Sequence, residues 1–245
     1  MASTYLRLPL TGTAVATPPF LQVNSFAVDD SDNSKLVLER LTGTKFNFAT
    51  AFTVIIPFKT NWVTGPGTNY LMDLKSTFYI AIDQVGGRII SRHYDATTNE
   101  QILMPITALS DGDWAWIGFS YDGAGSYQTI LQGDYIANSG VKVLVNNTET
   151  FRFGERYGYT VSQDMSMGNV LIVNKVMTAG ELTAYYNSGV SVDAYSVFDA
   201  TEIIHYYKAD DLAQQTTVPD AGGVTATLRG ALAENGLLKT TDVPS

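Results

Sequence analysis

Few side chains in this sequence could carry out covalent chemistry. The chain has 245 residues, no cysteine and two histidines, His93 and His205. A serine triad needs a histidine beside an activated serine, and the sequence contains no Gly-x-Ser-x-Gly segment. A zinc site built from cysteine and histidine would need more such ligands than the chain offers. We therefore interpret both histidines as structural or surface residues, and we exclude disulfides and thiol nucleophiles.

Acidic side chains could instead support glycoside hydrolysis, which needs two carboxylates about 5–10 Å apart. On a strand, such a pair usually shows as alternating acids. Asp73, Asp83 and Glu202 each stand alone on their predicted strands. Asp111 and Asp113 alternate, but only within a turn. The sequence therefore predicts that the protein is not an enzyme.

Calcium is the one cofactor that the acidic residues leave open. Loops bind Ca²⁺ through carboxylate, amide and backbone oxygens. Asp29, Asp30 and Asp32 form one dense acidic cluster, and residues 210–220 hold a second. No Asp-x-Asp-x-Asp-Gly loop is present. Our main interpretation is that these are solvated loops, and Ca²⁺ binding at residues 29–32 is the alternative.

Composition and charge describe a folded, acidic chain. Hydrophobic residues make up 45 % of the sequence and charged residues 16 %, which argues against disorder. The formal net charge is −9, and no cluster of lysine and arginine occurs, which argues against a nucleic-acid partner. The sequence shows neither an apolar run long enough to span a membrane nor a signal peptide. If the protein works outside a cell, we therefore expect it to get there by a route other than ordinary secretion, such as release on lysis as part of a virion.

Short runs of β-branched and aromatic residues, separated by turn residues, predict many strands. Clear examples are residues 52–58, 69–74, 77–82 and 88–94. Gly86-Gly87 predicts a hairpin turn between the last two of these strands. This pattern is typical of a sandwich or jelly roll and not of a fold in which helices alternate with strands.

A single short helix is predicted after these strands. Thr178 can cap its N-terminus, Glu181 can complete a capping box, and Gly189 is the expected stop. The predicted fold is an all-β, antiparallel β-sandwich of the jelly-roll type with one short helix. The predicted divisions are an N-terminal arm or edge strand, the sandwich and a loose C-terminal tail, at 1–34, 35–233 and 234–245.

Four segments carry a more specific pattern. Residues 111–123 read as a Gly/Asp turn, then Trp, then apolar alternation ending in Tyr-Asp-Gly. Residues 141–147, 166–173 and 176–186 follow as two further strands and a closing helix. In this order and spacing they resemble laminin-G-like domains of the concanavalin A-like lectin and glucanase superfamily. The resemblance implies the concanavalin A-like sandwich, and it implies that one Ca²⁺ is bound in many relatives.

Aromatic residues are the candidates for ligand contact. Where the family often has histidine, this chain has Ala115 and Trp116. Alternation on a regular strand would turn Ala115 toward the core and Trp116 outward, where it could stack on a sugar or contact a protein. The alternative is that another strand or loop covers Trp116. Trp62, in a loop with Gly and Pro, and Tyr94 are the other two candidates.

Two functions follow from these observations. The first is a non-enzymatic structural protein of a phage or virus, as a capsid decoration or a tail or fibre component on the particle surface. It would assemble with itself as a homo-oligomer or with other virion proteins, and could contact host-surface glycans. The absence of a signal peptide, of cysteine and of a catalytic pair supports it. The alternative is a lectin-like carbohydrate-binding or adhesion module outside a virion.

Overall fold

The computed structural model shows a chain built mostly from antiparallel strands, with one short α-helix, α1 (Ala179–Tyr186). The predicted all-β class is confirmed. Within the described ranges, no helix is long and apolar enough to cross a membrane. The structure describes residues 25–28, 37–40, 50–60, 68–74, 78–83, 86–94, 99–105, 109–110, 112–139, 151–153, 165–208, 217–218, 226–229 and 239–240.

The strands of the described residues form two sheets, and the first of these has nine strands. They are β1 (Ser25–Val28), β3 (Phe52–Thr60), β8 (Trp114–Tyr121), β9 (Tyr127–Leu131), β10 (Asp134–Ser139), β12 (Met165–Met167), β13 (Val170–Val173), β14 (Ile203–Tyr207) and β17 (Lys239–Thr240). The order is β10-β9-β8-β3-β12-β1-β17, and β13 pairs with both β3 and β14. One edge of β3 pairs with β8, and the other pairs first with β13 and then with β12. Pro57, which has no N–H to donate, lies where this partner changes.

The second sheet has eight strands. They are β2 (Val37–Arg40), β4 (Thr68–Leu74), β5 (Phe78–Asp83), β6 (Arg88–Tyr94), β7 (Asn99–Pro105), β11 (Phe151–Phe153), β15 (Thr217–Val218) and β16 (Ala226–Arg229). Their order is β15-β16-β2-β11-β4-β5-β6-β7. Strand β7 also contacts β10, so the two sheets approach each other along this edge.

The hairpin between β5 and β6 confirms the turn predicted at Gly86-Gly87. The Asp83 carboxylate accepts a hydrogen bond from the Gly86 N–H at 3.0 Å and another from Arg88 Nε at 2.8 Å. Gly87 has a φ of +58°, a conformation that glycine adopts without strain. The acid before the turn therefore holds both the turn backbone and the first residue of the next strand.

The core side of β8 is the side that alternation predicts. Ile117, Phe119 and Tyr121 are fully buried. The Phe119 ring centroid lies 5.7 Å from that of Phe52 and 5.8 Å from that of Tyr127. Such tilted ring pairs add a favourable electrostatic contact to the burial of apolar area. Aromatic residues of three neighbouring strands thus fill this part of the core.

Helix α1 begins as the sequence predicts and ends earlier than it predicts. The Thr178 hydroxyl accepts from the Glu181 N–H at 3.2 Å, and the Glu181 carboxylate accepts from the Thr178 N–H at 2.8 Å, which is a capping box. The helix ends at Asn187, which has a φ of +43°. Gly189 is therefore not the stop, because asparagine also tolerates the left-handed conformation that ends a helix.

Two strands lie outside the limits predicted for the sandwich, 35–233. Strand β1 pairs with β12 on one side and with β17 on the other. The segment predicted as an arm or edge strand and the segment predicted as a loose tail therefore each contribute a strand to the nine-stranded sheet. The predicted strand at 141–145 lies outside the described residues.

The hairpin of β9 and β10 was not predicted. Its two turn residues, Gln132 and Gly133, have φ values of +52° and +83°, as a two-residue hairpin turn with two positive φ values requires. Glutamine is not a usual residue there, so the sequence lacks the Asn-Gly signal. A tertiary contact stabilises the turn instead, because Gln132 Oε1 accepts from the Trp116 N–H at 3.1 Å and the Gln132 N–H donates to the Trp116 carbonyl at 2.8 Å.

Candidate functional site

A row of polar residues crosses the eight-stranded sheet. In order across β2, β11, β4, β5, β6 and β7, the row consists of Glu39, Arg152, Asp73, Tyr79, Arg92 and Gln101. Each residue lies directly opposite the next in the strand register, so the six positions form one line across the sheet. Neighbouring strands are about 4.8 Å apart, so this cross-strand row extends over roughly 24 Å.

Alternation along β5 places Tyr79 on the face opposite to that of Ile80, which is fully buried. Tyr79 and Ala81 form a small cluster with Ile90, separate from the other core clusters, and Tyr70 packs against it. The described part of the row therefore lies beside a small group of buried apolar side chains.

Tyr79 and Arg92 define the geometry of the row where its side chains are described. Arg92 Nη1 donates a hydrogen bond to the Tyr79 hydroxyl at 3.2 Å. The Tyr79 ring lies edge-on to Tyr70, with centroids 5.2 Å apart and planes at 73°. Tyr79 and Asp73 are each only 4 % exposed, whereas Tyr70 and Arg92 are half-buried. A ligand could thus reach an aromatic ring and a guanidinium group that rest on buried partners.

In the strand register, an arginine separates the two acids of the row. Glu39 and Asp73 lie two strands apart, about 10 Å between backbones, and Arg152 is paired with both. Residues of these types form charge-assisted hydrogen bonds with ligands, which are stronger than neutral ones.

The prediction of Trp116 as an exposed contact residue is wrong, and the alternative of a covered Trp116 holds. Alternation does place it on the outer face of its sheet, but α1 packs over that face. Trp116 is 3 % exposed. Its ring meets Tyr185 and Tyr186 edge-on at centroid distances of 5.4 and 5.8 Å. This side chain is the centre of a second apolar layer and cannot stack on a sugar while α1 is in place.

The other predicted contact residues are only partly located. Tyr94 is the last residue of β6, opposite Asn99 on β7. Trp62 lies outside the described residues.

The calcium prediction stays untested. Asp29, Asp30 and Asp32 lie outside the described residues, as does the stretch 209–216 of the second acidic cluster. Among the residues that are described, no group of three or more histidine or acidic side chains could hold a metal ion. His205 is buried, and its ring stacks on Tyr207 with centroids 5.8 Å apart, which agrees with the structural role predicted for it.

Sequence reasoning missed the cross-strand row because it searched for paired acids along single strands. Asp73 was interpreted as an isolated acid, and along β4 it is one. Its neighbours come from β5 and β11, which are separated from each other by some seventy residues of chain. One signal was present: each of these strands carries a polar or charged residue inside an apolar run, as in Phe151–Phe153.

The chain is similar to several solved structures of β-sandwich binding domains. It matches a Bacteroides ovatus protein assigned to carbohydrate binding over 92 % of this chain and 62 % of that one, with a TM-score of 0.67 and 18 % identity. The receptor-binding domain of botulinum neurotoxin D matches over 69 % of this chain and 46 % of that one, at TM-score 0.55 and 13 % identity. A heptameric pentraxin from Limulus polyphemus matches over 67 % of this chain and 82 % of that one, at TM-score 0.52 and 14 % identity.

These similarities establish the fold. The chain is a lectin-like β-sandwich, and the predicted concanavalin A-like, jelly-roll architecture is confirmed. It spans less than two thirds of the length of the Bacteroides protein and about half that of the neurotoxin domain. No protein-family model and no curated protein matches the sequence.

Proposed function

We propose that this chain is a non-enzymatic, lectin-like module that binds a glycan at the cross-strand row of the eight-stranded sheet. The observation that carries the proposal is the cross-strand row, in which half-buried Arg92 donates to buried Tyr79, whose ring meets the Tyr70 ring and whose strand neighbour is buried Asp73. The similarity of 92 % of the chain to a protein assigned to carbohydrate binding supports it.

The chemistry of the row suits a sugar. Small-molecule sites combine apolar or aromatic surface with a few fixed polar groups. Tyr70 offers an aromatic ring, and Arg92 offers planar donors for neighbouring hydroxyls. Because Arg92 and Tyr79 already hold each other, little side-chain freedom is lost on binding. Acids and arginines balance in the row while the chain carries a net charge of −9, so we expect a neutral glycan in preference to a polyanion.

Glycan-array screening followed by calorimetry tests the site. We expect the wild-type chain to bind a glycan and Arg92→Ala to weaken binding about tenfold, or roughly 1.4 kcal/mol. Arg92→Lys keeps the charge but loses the planar fork, so it should restore only part of the affinity. Arg88→Ala is the matched control, since Arg88 lies on the same strand but pairs with Asp83 at the hairpin. If the wild-type chain binds no glycan on a broad array, the proposed function is refuted. If Arg92→Ala binds with unchanged affinity, the glycan site does not include Arg92.

A virion structural protein is the second candidate function. It is supported by the sequence features that predicted it and by the place of β17, which is the last strand at one edge of the nine-stranded sheet among the described strands. An edge strand can pair with another chain, as a decoration protein requires. Mass spectrometry of purified virions should find the chain, and light scattering should find a defined homo-oligomer. A monomer absent from virions would exclude this candidate and leave glycan binding unaffected.

A further inference from the structure

We propose a second sugar-contact site around Tyr195, in the segment that follows α1 and covers the nine-stranded sheet. The inference rests on the glycan-binding function proposed above and adds to it a place for one pyranose unit, stacked on the Tyr195 ring. The Tyr195 site consists of Tyr195, Asp193 and Lys208. It belongs to the other sheet from the cross-strand row, so the two sites are separate.

Tyr195 stands out among the exposed apolar side chains of the described part of the chain. It is 43 % exposed, and the other large apolar residues exposed to a similar degree there are Ile136, Val176 and Val190, all aliphatic. An aromatic ring buries a large area when a ligand stacks on it. Single exposed apolar residues are common, however, so the surroundings of the ring decide whether it can act as a contact site.

The Tyr195 backbone and ring are held in place. The ring projects from a 3-10 turn, Ala194–Ser196, which the Asp193 side chain caps. The Asp193 carboxylate accepts from the Tyr195 N–H at 3.2 Å. The ring lies edge-on to Tyr206, with centroids 6.0 Å apart and planes at 74°. A ligand that stacks on this ring would therefore have little side-chain freedom to remove.

Tyr206 also fixes the position of a cation relative to Tyr195. The Tyr206 side chain is buried, and its hydroxyl accepts from Asn169 Nδ2 and from the Ala194 N–H, both at 3.4 Å. Lys208 Nζ lies 5.6 Å from the centroid of the same ring. Tyr195 and Lys208 therefore both lie against the Tyr206 ring, which is itself buried against the sheet.

The Tyr195 site thus brings an aromatic surface, a carboxylate and an ammonium group together at the surface. A pyranose carries C–H groups on its faces and hydroxyls at its edge. One face can stack on Tyr195, while edge hydroxyls accept from Lys208 and donate to Asp193. A protein interface would need a broader apolar centre, whereas the residue after Tyr195 is the exposed Ser196.

An NMR titration of the wild-type chain, with matched variants, tests the inference. The probes are the glycan bound best on the array and a set of methyl hexopyranosides. We expect the amide signals of Tyr195 and Lys208 to shift on titration. Tyr195→Ala should weaken this binding about fivefold or more, and Tyr195→Phe should retain most of it because the ring remains. Val190→Ala, at an equally exposed residue nearby, should bind as the wild type does.

The outcomes separate this inference from the proposed function. If signals near Arg92 shift while those of Tyr195 and Lys208 do not, the second site is refuted and glycan binding stands. Equal affinities of Tyr195→Ala and the wild type would also refute it. If no probe shifts any signal, the function and the second site fail together. Circular dichroism of each variant, together with the Tyr195→Phe variant, distinguishes loss of contact from loss of folding.

Discussion

Gly118 on β8 lies very close to the adjacent strand β3 of the nine-stranded sheet. A Cβ at this position would lie 2.5 Å from the Val54 carbonyl oxygen and 2.6 Å from Ile55 Cδ1. Real Cβ contacts are not that short, and a backbone carbonyl in the adjacent strand cannot move aside. The glycine is therefore required by its neighbours on β3 and not by its own backbone conformation.

Gly118→Ala should destabilise the protein by about 1–3 kcal/mol, because overpacking forces strand β3 away from β8. Gly180→Ala is the matched control, since its new Cβ would have no neighbour closer than 3.9 Å. Alanine in a helix is favoured over glycine by up to about 1 kcal/mol, so the control should be neutral or stabilising. Urea unfolding followed by tryptophan fluorescence measures both, and equal stabilities of the two variants would contradict this account.

At the scale of elements, one lysine ties α1 to the strand that follows it. Lys175 Nζ lies 2.6 Å from Glu181 Oε1 on α1 and 2.6 Å from Glu202 Oε1 just before β14. The same ammonium group lies 5.6 Å from the Phe198 ring centroid. We call these residues the Lys175 clamp. It holds the segment that covers Trp116 against the sheet.

The charges of the Lys175 clamp shift the pKa values of its members. Partial burial acts to lower the Lys175 pKa, but the two carboxylates outweigh it and raise that pKa. Burial likewise acts to raise the Glu181 pKa, and hydrogen bonds from Lys175 and Thr178 lower it. The hydrogen bonds from Lys175 and from the Asp199 N–H lower the Glu202 pKa.

These directions set the pH range in which the clamp stabilises the fold. A carboxyl with a lowered folded pKa contributes fully above its unfolded pKa, about 4.3 for glutamate, and loses that contribution as the pH falls. A lysine with a raised folded pKa contributes fully below about 10.4 and loses it as the pH rises. The clamp is therefore complete between roughly pH 5 and pH 10.

Removing the Lys175 ammonium group should make the free energy of unfolding less dependent on pH in the acid range. Lys175→Met removes the part of the lowered Glu181 and Glu202 pKa values that Lys175 causes, while the hydrogen bonds from Thr178 and Asp199 remain. The variant should therefore lose less stability than the wild type between about pH 5 and pH 3. At neutral pH we expect it to be less stable by up to about 1 kcal/mol. Urea midpoints across this pH range provide the measurement. Parallel curves for the two proteins would show that the clamp is not linked to folding.

The elements that could be predicted are those specified by local sequence. The Gly86-Gly87 hairpin and the Thr178–Glu181 capping box each depend on residues within a few positions of one another. The hairpin at Gln132-Gly133 could not be predicted, because its turn is stabilised by a hydrogen bond with Trp116 from another strand. Glycine is needed at position 133 because a Cβ there would lie 2.4 Å from the Tyr186 ring. The geometry of this hairpin is a tertiary property.

At the scale of the whole molecule, net charge affects the association of molecules more than it affects the fold. The formal charge is −9 and the isoelectric point is about 4.6. We expect self-association or precipitation to be greatest near that pH and to decrease toward neutrality, where like charges repel. Dynamic light scattering over this range checks the expectation. Because the Lys175 clamp also weakens there, the Lys175→Met comparison separates association from unfolding, and a chain that stays dispersed at pH 4.6 would contradict the prediction.

The amino-acid sequence by itself determined the all-β class, the start of α1, the core-facing set on β8 and the absence of cysteine chemistry. All of these follow from alternation, capping residues or composition, which act within one segment. Tertiary structure alone decided that α1 buries Trp116, and that Asp73 lies between residues of two distant strands. Strand register and the cover of a sheet face depend on long-range packing. For that reason Glu39 and Asp73 each look isolated along their own strands, and only the register across neighbouring strands shows that they belong to one row.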